Sequence, residues 1–139
     1  MKSVTVTNYQ EDRYYPKVVR SAKDLLEKQQ GFNAVEVMIA MGNLTPEKVR
    51  AWQKGQVPYL EKIFAGNLSK ANRILRILRF HAHDLNLKTS VHPFRQQGSK
   101  HITLRCSKTG EPAIEEAYAR HFYPANQSFP SQHGQIRNL

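Results

Sequence analysis

Residues 68–87, LSKANRILRILRFHAHDLNL, constrain the fold more than any other segment of the chain. At about 100° per residue, as in an α-helix, most apolar side chains of this segment fall on one stripe. The stripe consists of Ala71, Ile74, Leu75, Leu78, Ala82 and Leu85. Such a helix gains most of its stability from packing its apolar face, so the segment predicts a long helix within a folded domain.

The opposite face of the same predicted helix is basic. It carries Arg73, Arg76, Arg79 and His83. This spacing suits contact with successive phosphates or with one acidic partner. Phe80 lies inside the basic stripe and Ile77 beside it, so each of these apolar side chains needs a partner. Another helix of the domain, a second subunit of a homodimer, or a stacked nucleic-acid base would supply one.

Capping residues, glycines and prolines divide the chain into short elements, and the expected helix caps are Asn33, Thr45 and either Asn67 or Ser69. The predicted elements are a strand at 3–7, helices from Pro16 to Gly31, from Ala34 to Gly42, from Thr45 to Gly55, after Pro58 and at 68–87, a β-hairpin at 89–107, and a last helix at 111–122. Residues 1–123 would form one domain, and the polar, proline-broken residues 124–139 a disordered tail. The predicted class is α+β, with four to five short helices and a small antiparallel sheet.

Residues 34–55 have the outline of a helix-turn-helix, with two short helices, a glycine in the connector and basic residues on the second helix. With the glycine at the usual turn position, the inward positions of the second helix fall on Lys48 and Ala51. They fall on Val49 and Trp52 if the turn is one residue longer. A winged helix-turn-helix variant and ordinary helical packing therefore both stay open.

The distribution of charge gives the clearest indication of a partner. The chain has a formal net charge of +10, and residues 48–108 contain thirteen Lys and Arg against two acids, a local excess of +11. A block of this kind is typical of a protein that binds a polyanion, because each neutralised phosphate releases counterions. A basic surface kept for solubility is the alternative.

The sequence carries no recognisable metal or cofactor motif. His81 and His83 are two residues apart, so on a helix they point about 200° apart and cannot chelate one ion. Cys106 shares a predicted strand face with Ile102 and Leu104, which favours a core residue over a nucleophile. We therefore expect no metal and no cofactor, with a metal site assembled from His92, His101 or Cys106 as the alternative left open.

The acidic residues argue against a metal-dependent nuclease, which would need several carboxylates near the basic face. Only Glu61 and Asp84 occur in the basic block. Glu115 and Glu116, with Arg120, predict a solvated helix face with an i, i+4 ion pair. A metal-independent nuclease or toxin that uses histidine as acid and base stays open.

The amino-terminal segment lacks the apolar core of a secretory signal, and no apolar run approaches the roughly 18 residues of a membrane span. The chain has one cysteine, so it cannot form an internal disulfide. These features predict a cytoplasmic protein without a membrane partner.

The expected function is non-enzymatic binding of nucleic acid, duplex DNA more than RNA, in a regulatory or mobile-element-associated role. Binding to structured RNA or the ribosome is the first alternative, the histidine nuclease is the second, and docking of an acidic protein is the third. The predicted nucleic-acid-binding residues are Lys48, Arg50, Gln53, Lys54, Lys70, Arg73, Arg76, Arg79, His83, Arg95 and Lys100.

Overall fold

The computed structural model describes residues 3–126, and these form the predicted α+β fold. The helices are α1 (Tyr15–Gln29), α2 (Ala34–Met41), α3 (Pro46–Gln53), α4 (Leu68–Asp84) and α5 (Pro112–Ala119). The strands are β1 (Phe32–Asn33), β2 (Lys88–Val91), β3 (Arg95–Gln96), β4 (Ser99–Thr103) and β5 (Arg120–Tyr123). Most of the predicted tail, residues 127–139, lies outside the described residues.

The starts of three helices follow from side-chain caps, as predicted. Asn33 accepts the Glu36 N–H at 2.9 Å, and Glu36 accepts the Asn33 N–H in return, which makes a complete capping box for α2. Thr45 caps α3, and Asn67 caps α4 by accepting the Lys70 N–H at 2.8 Å. These bonds satisfy N–H groups that a helix start otherwise leaves unpaired.

Helix α4 packs against α1, α2 and a 3-10 turn at Tyr9–Glu11. Its Ile74, Ile77 and Leu78 are buried in the core, as the apolar stripe requires. The helix ends at Asp84, before the predicted end at Leu87, because the chain turns there through Asn86 in the left-handed conformation. None of the described helices combines the length and apolarity needed to cross a membrane.

The main sheet has three antiparallel strands in the order β1-β5-β2. In the central strand, Phe122 pairs with Phe32 of β1 on one side and with Thr89 of β2 on the other. The prediction of a last helix through residue 122 is wrong, because α5 ends at Ala119 and the next four residues enter the sheet. Helical periodicity is a local signal, and it carries no information on these two distant strand partners.

The predicted hairpin at 89–107 is also only partly correct. Strand β2 pairs with β5, and the hairpin consists of β3 and β4 alone, with Gly98 at positive φ in its turn. The chain leaves the ladder after Thr103, so the predicted strand face is broken. Ile102 is 40% exposed, whereas Cys106 is buried.

Two further predictions of local structure need correction. Residues 3–7 are not a strand, because the chain turns at residues 6–8, where the Tyr9 N–H donates to the Thr5 carbonyl at 3.0 Å. Val4 is 2% exposed and Val6 is 65% exposed, whereas a strand would have placed both on one face. The helix predicted after Pro58 is a short 3-10 turn, Leu60–Ile63.

Candidate nucleic-acid interface

Helices α2 and α3 are joined by a short connector with Gly42 at a φ of +86°. Val49 and Trp52 of α3 are fully buried, so the inward positions follow the register of the longer turn. Lys48 and Arg50 are exposed on the remaining faces of α3, and Lys54 is exposed at the end of this helix. The structure therefore presents three of the predicted cations of this helix to solvent.

The hairpin lies against the carboxyl end of α3. The Gln97 N–H in its turn donates to the Gln53 carbonyl at 2.8 Å, and the Phe94 ring meets the Trp52 ring edge-on with centroids 5.3 Å apart. Gln53 itself is half-buried, so its backbone holds the hairpin while its side chain has limited access to a ligand.

The two predicted cations of the hairpin, Arg95 and Lys100, are also exposed. Arg95 donates to the Thr103 hydroxyl at 2.5 Å across the two strands, and Lys100 follows the turn. We call this set of five side chains the hairpin–α3 surface. It consists of Lys48, Arg50, Lys54, Arg95 and Lys100.

The basic stripe of α4 is partly covered by the amino-terminal segment. Arg73 forms an ion pair with Asp12, with its Nε 2.7 Å from Oδ2, and the Asp12 side chain is 1% exposed. Arg76 is exposed and donates from Nη1 to the Val4 carbonyl at 3.2 Å. Arg73 is therefore engaged in holding the fold, which the sequence pattern did not indicate.

The other cations of α4 are more accessible. Arg79 is exposed and has no hydrogen-bond or ion-pair partner within residues 3–126, and His83 is exposed one turn later. The Lys70 ammonium lies 4.9 Å from the centre of the Tyr14 ring, which Arg13 also approaches to 4.8 Å. Lys70 thus makes a cation–π contact within the protein.

The apolar side chains that interrupt the basic stripe find their partners inside the chain. Phe80 packs on the Tyr9 ring at a centroid distance of 5.7 Å, and Ile77 is fully buried. The Tyr9 hydroxyl donates to Asp84, and burial together with this carboxylate raises the pKa of Tyr9. The partner of Phe80 thus lies in a 3-10 turn of the same domain and not in another helix. Ile77 offers no accessible surface to a second subunit.

The two histidines of α4 lie in different surroundings. His81 is half-buried beside the Tyr15 ring at 6.2 Å, and burial lowers its pKa, whereas His83 is exposed. Within the part of the chain that the structure describes, no group of three His, Cys, Asp or Glu side chains could hold a metal ion.

The carboxylates of Glu61 and Glu115 accept hydrogen bonds from the segment around Cys106. Glu61 accepts the Tyr118 hydroxyl and the Lys108 N–H, each at 2.8 Å. Glu115 accepts the Cys106 N–H at 2.9 Å and the Ser107 N–H at 2.6 Å. Burial raises the pKa of the Cys106 thiol, and both carboxylates add to this shift, so Cys106 is kept as a neutral core residue.

The prediction that Glu115 is solvated is therefore wrong, while the Glu116–Arg120 ion pair is confirmed at 2.5 Å. Arg120 was not predicted as a binding residue. It lies in β5 and lines the same cleft as Arg79 of α4, and no spacing in the sequence could have indicated this, because it depends on the pairing of the sheet.

The fold and its exposed side chains define a small basic α+β protein with a charged surface on one short helix and an adjoining hairpin. Comparisons with protein-family models, with curated proteins and with solved structures find no match. The charge and geometry of the side chains are therefore the basis for assigning a function.

Proposed function

We propose that the protein binds duplex nucleic acid, DNA in preference to RNA, and acts without catalysing a reaction on it. The observation that carries this proposal is the hairpin–α3 surface. A short helix with exposed cations suits the major groove of B-form DNA, whereas the deep, narrow major groove of A-form RNA does not admit side chains.

The charges of the hairpin–α3 surface support this proposal. Lys48, Arg50 and Lys54 are accompanied on α3 by a single acid, Glu47, which is in the first turn, where it suits the positive end of the helix. The backbone bond from Gln97 to Gln53 holds the hairpin in place. The hairpin backbone is therefore ordered before a ligand binds, which lowers the conformational cost of binding.

In this proposal, α4 contributes fewer contacts with nucleic acid than its sequence indicates. Arg73 is paired with Asp12, and Arg76 is bonded to a backbone carbonyl. Arg79, His83 and Lys70 stay predicted phosphate contacts. We therefore assign the main contact with the duplex to the hairpin–α3 surface.

The first test is a titration of the protein with duplex DNA at several salt concentrations. The logarithm of the binding constant should fall linearly with the logarithm of salt, with a slope of about −0.9 for each phosphate contact. Replacing Lys48, Arg50 and Lys54 together by Gln should make the slope shallower by about two to three, because up to three such contacts are lost.

A matched control removes the same charge from another face. Lys17, Arg20 and Lys23 are exposed on α1, and their joint replacement by Gln lowers the net charge equally. The control should keep most of the slope of the wild type. Equal losses in both triple variants, or a slope near zero in the wild type, would contradict the proposal.

Competition between a DNA duplex and an RNA hairpin of equal length for one labelled site tests the preference for DNA. Tighter binding of the RNA hairpin would favour the alternative of structured-RNA binding.

We also propose a cytoplasmic location, in which the free thiol of Cys106 stays reduced. A homodimer stays a prediction.

A further inference from the structure

A cleft lies between α4, α5 and β5. None of the residues of the hairpin–α3 surface lines it. It consists of two adjoining cavities with volumes of about 390 and 460 Å³. Arg79, Arg120 and Phe122 line both cavities, so the two join at a pair of arginines from different elements. Volumes of this size are within the range of sites for small molecules.

The positive charge in this cleft is incompletely compensated. Arg79 has no partner within residues 3–126, and Arg76 makes one bond, to the Val4 carbonyl. Arg120 uses one N–H on Thr89 and another on Glu116, so part of its guanidinium is still able to donate. Glu111 is the one carboxylate among the lining residues.

One wall of the first cavity is apolar. It is formed by Leu75, Leu78, Ile114, Ala117 and Phe122. The Phe122 ring stacks on Phe32 with centroids 5.2 Å apart, which supports this wall from the core side. A ligand that fills the cavity therefore needs an apolar body as well as a negative charge.

We propose that this cleft binds a phosphate monoester with a flat apolar body, a class that includes the nucleoside monophosphates. The phosphate would lie between Arg79 and Arg120, within reach of Arg76, and the ring would lie on the apolar wall. A phosphate dianion offers acceptors to several guanidinium groups at once, whereas a carboxylate is filled by one bidentate arginine. Glu111 at the cleft is suited to a ligand hydroxyl or amino group.

Calorimetric titration of the full chain with three probes tests this inference. The probes are a nucleoside monophosphate, the same nucleoside without phosphate, and inorganic phosphate alone. The nucleoside monophosphate should bind at least about tenfold more tightly than either of the other two, because only it satisfies both the charged and the apolar part of the cleft.

Two variants locate the binding. Arg79→Gln should weaken it at least about tenfold by removing a charge-assisted contact, and Ala117→Leu should do the same by filling the apolar part without changing any charge. Ala40→Leu is the matched control, because Ala40 is exposed on α2 and does not line the cleft. Circular dichroism of each variant checks that it is folded.

Equal binding of the nucleoside monophosphate and inorganic phosphate would overturn the inference, since it would mean attraction by charge alone. Unchanged binding in both cleft variants would overturn it as well. Loss of duplex binding in Ala117→Leu would assign the cleft to nucleic acid instead. The inference does not depend on the proposed function, because the apolar wall with Ala117 lies outside the hairpin–α3 surface, so Ala117→Leu should leave duplex binding unchanged.

Discussion

Glu115 and Glu116 show how much two adjacent residues of one type can differ in their structural role. Glu115 accepts bonds from the backbone N–H groups of Cys106 and Ser107 and from the Ser107 hydroxyl at 2.5 Å. Glu116 pairs with Arg120 at the surface. One carboxylate therefore organises a buried segment, while the other contributes an exposed ion pair, which is a weak interaction.

We expect Glu115→Ala to lower the free energy of unfolding by about 1 to 3 kcal/mol, because it leaves buried donors of Cys106 and Ser107 without an acceptor. Glu116→Ala should lower it by less than about 1 kcal/mol. Urea unfolding followed by circular dichroism measures both. Similar losses for the two variants would mean that the Glu115 bonds contribute no more than a surface pair.

Residue identity alone did not distinguish these two glutamates, since both fit a solvated helix face. Phe80 is a counter-example, because its position in a basic stripe correctly indicated a hidden partner. That partner is Tyr9, which is distant in the sequence. A misplaced apolar residue can thus show that a contact exists without showing what makes it.

At the scale of single elements, the end of α1 differs from its prediction. The expected stop was Gly31, but Gln30 adopts the left-handed conformation, with φ of +62°, and its N–H closes the helix on the Leu26 carbonyl. A side chain with a Cβ pays a steric penalty in this conformation, which glycine avoids.

Gln30→Gly should therefore raise the free energy of unfolding by about 0.5 to 1 kcal/mol, since relief of the left-handed strain exceeds the added flexibility of the unfolded chain. Lys28→Gly, within the last turn of the same helix, should lower it by about 1 kcal/mol. Thermal unfolding of both variants gives the comparison. A loss of stability in Gln30→Gly would contradict the strain argument.

Helix starts were the most predictable part of the elements. Asn33, Thr45 and Asn67 each bond an N–H three residues ahead, so the local sequence indicates them, with Ser69 as the alternative to Asn67. The strands were less predictable. Strand β5 exists because β1 and β2 lie on either side of it, and both are far away in the sequence.

At the scale of the whole molecule, Trp52 joins several parts of the fold. It is buried on α3, its Nε1 donates to the Arg105 carbonyl at 2.9 Å, and its ring meets Phe94. It is the single tryptophan of the chain, so its fluorescence reports this junction without interference.

We expect the unfolding of the junction and of the helices to coincide. Trp52 belongs to the same core as the buried face of α4, so the hairpin junction should not open separately. Urea titrations followed by tryptophan fluorescence and by far-ultraviolet circular dichroism should give the same midpoint. A fluorescence change at lower urea would mean that the hairpin–α3 junction is an independent unit.

The sequence by itself determined the features that arise from local chemistry: the α+β class, the caps of three helices, the apolar stripe of α4 and the excess of positive charge. Only the tertiary structure decided the sheet order, the ion pair of Arg73 with Asp12, and the position of Arg79 and Arg120 along one cleft. Capping and periodicity act over a few residues, so spacing records them. Strand pairing and charge compensation join distant segments, and their partners become visible only when the chain has folded.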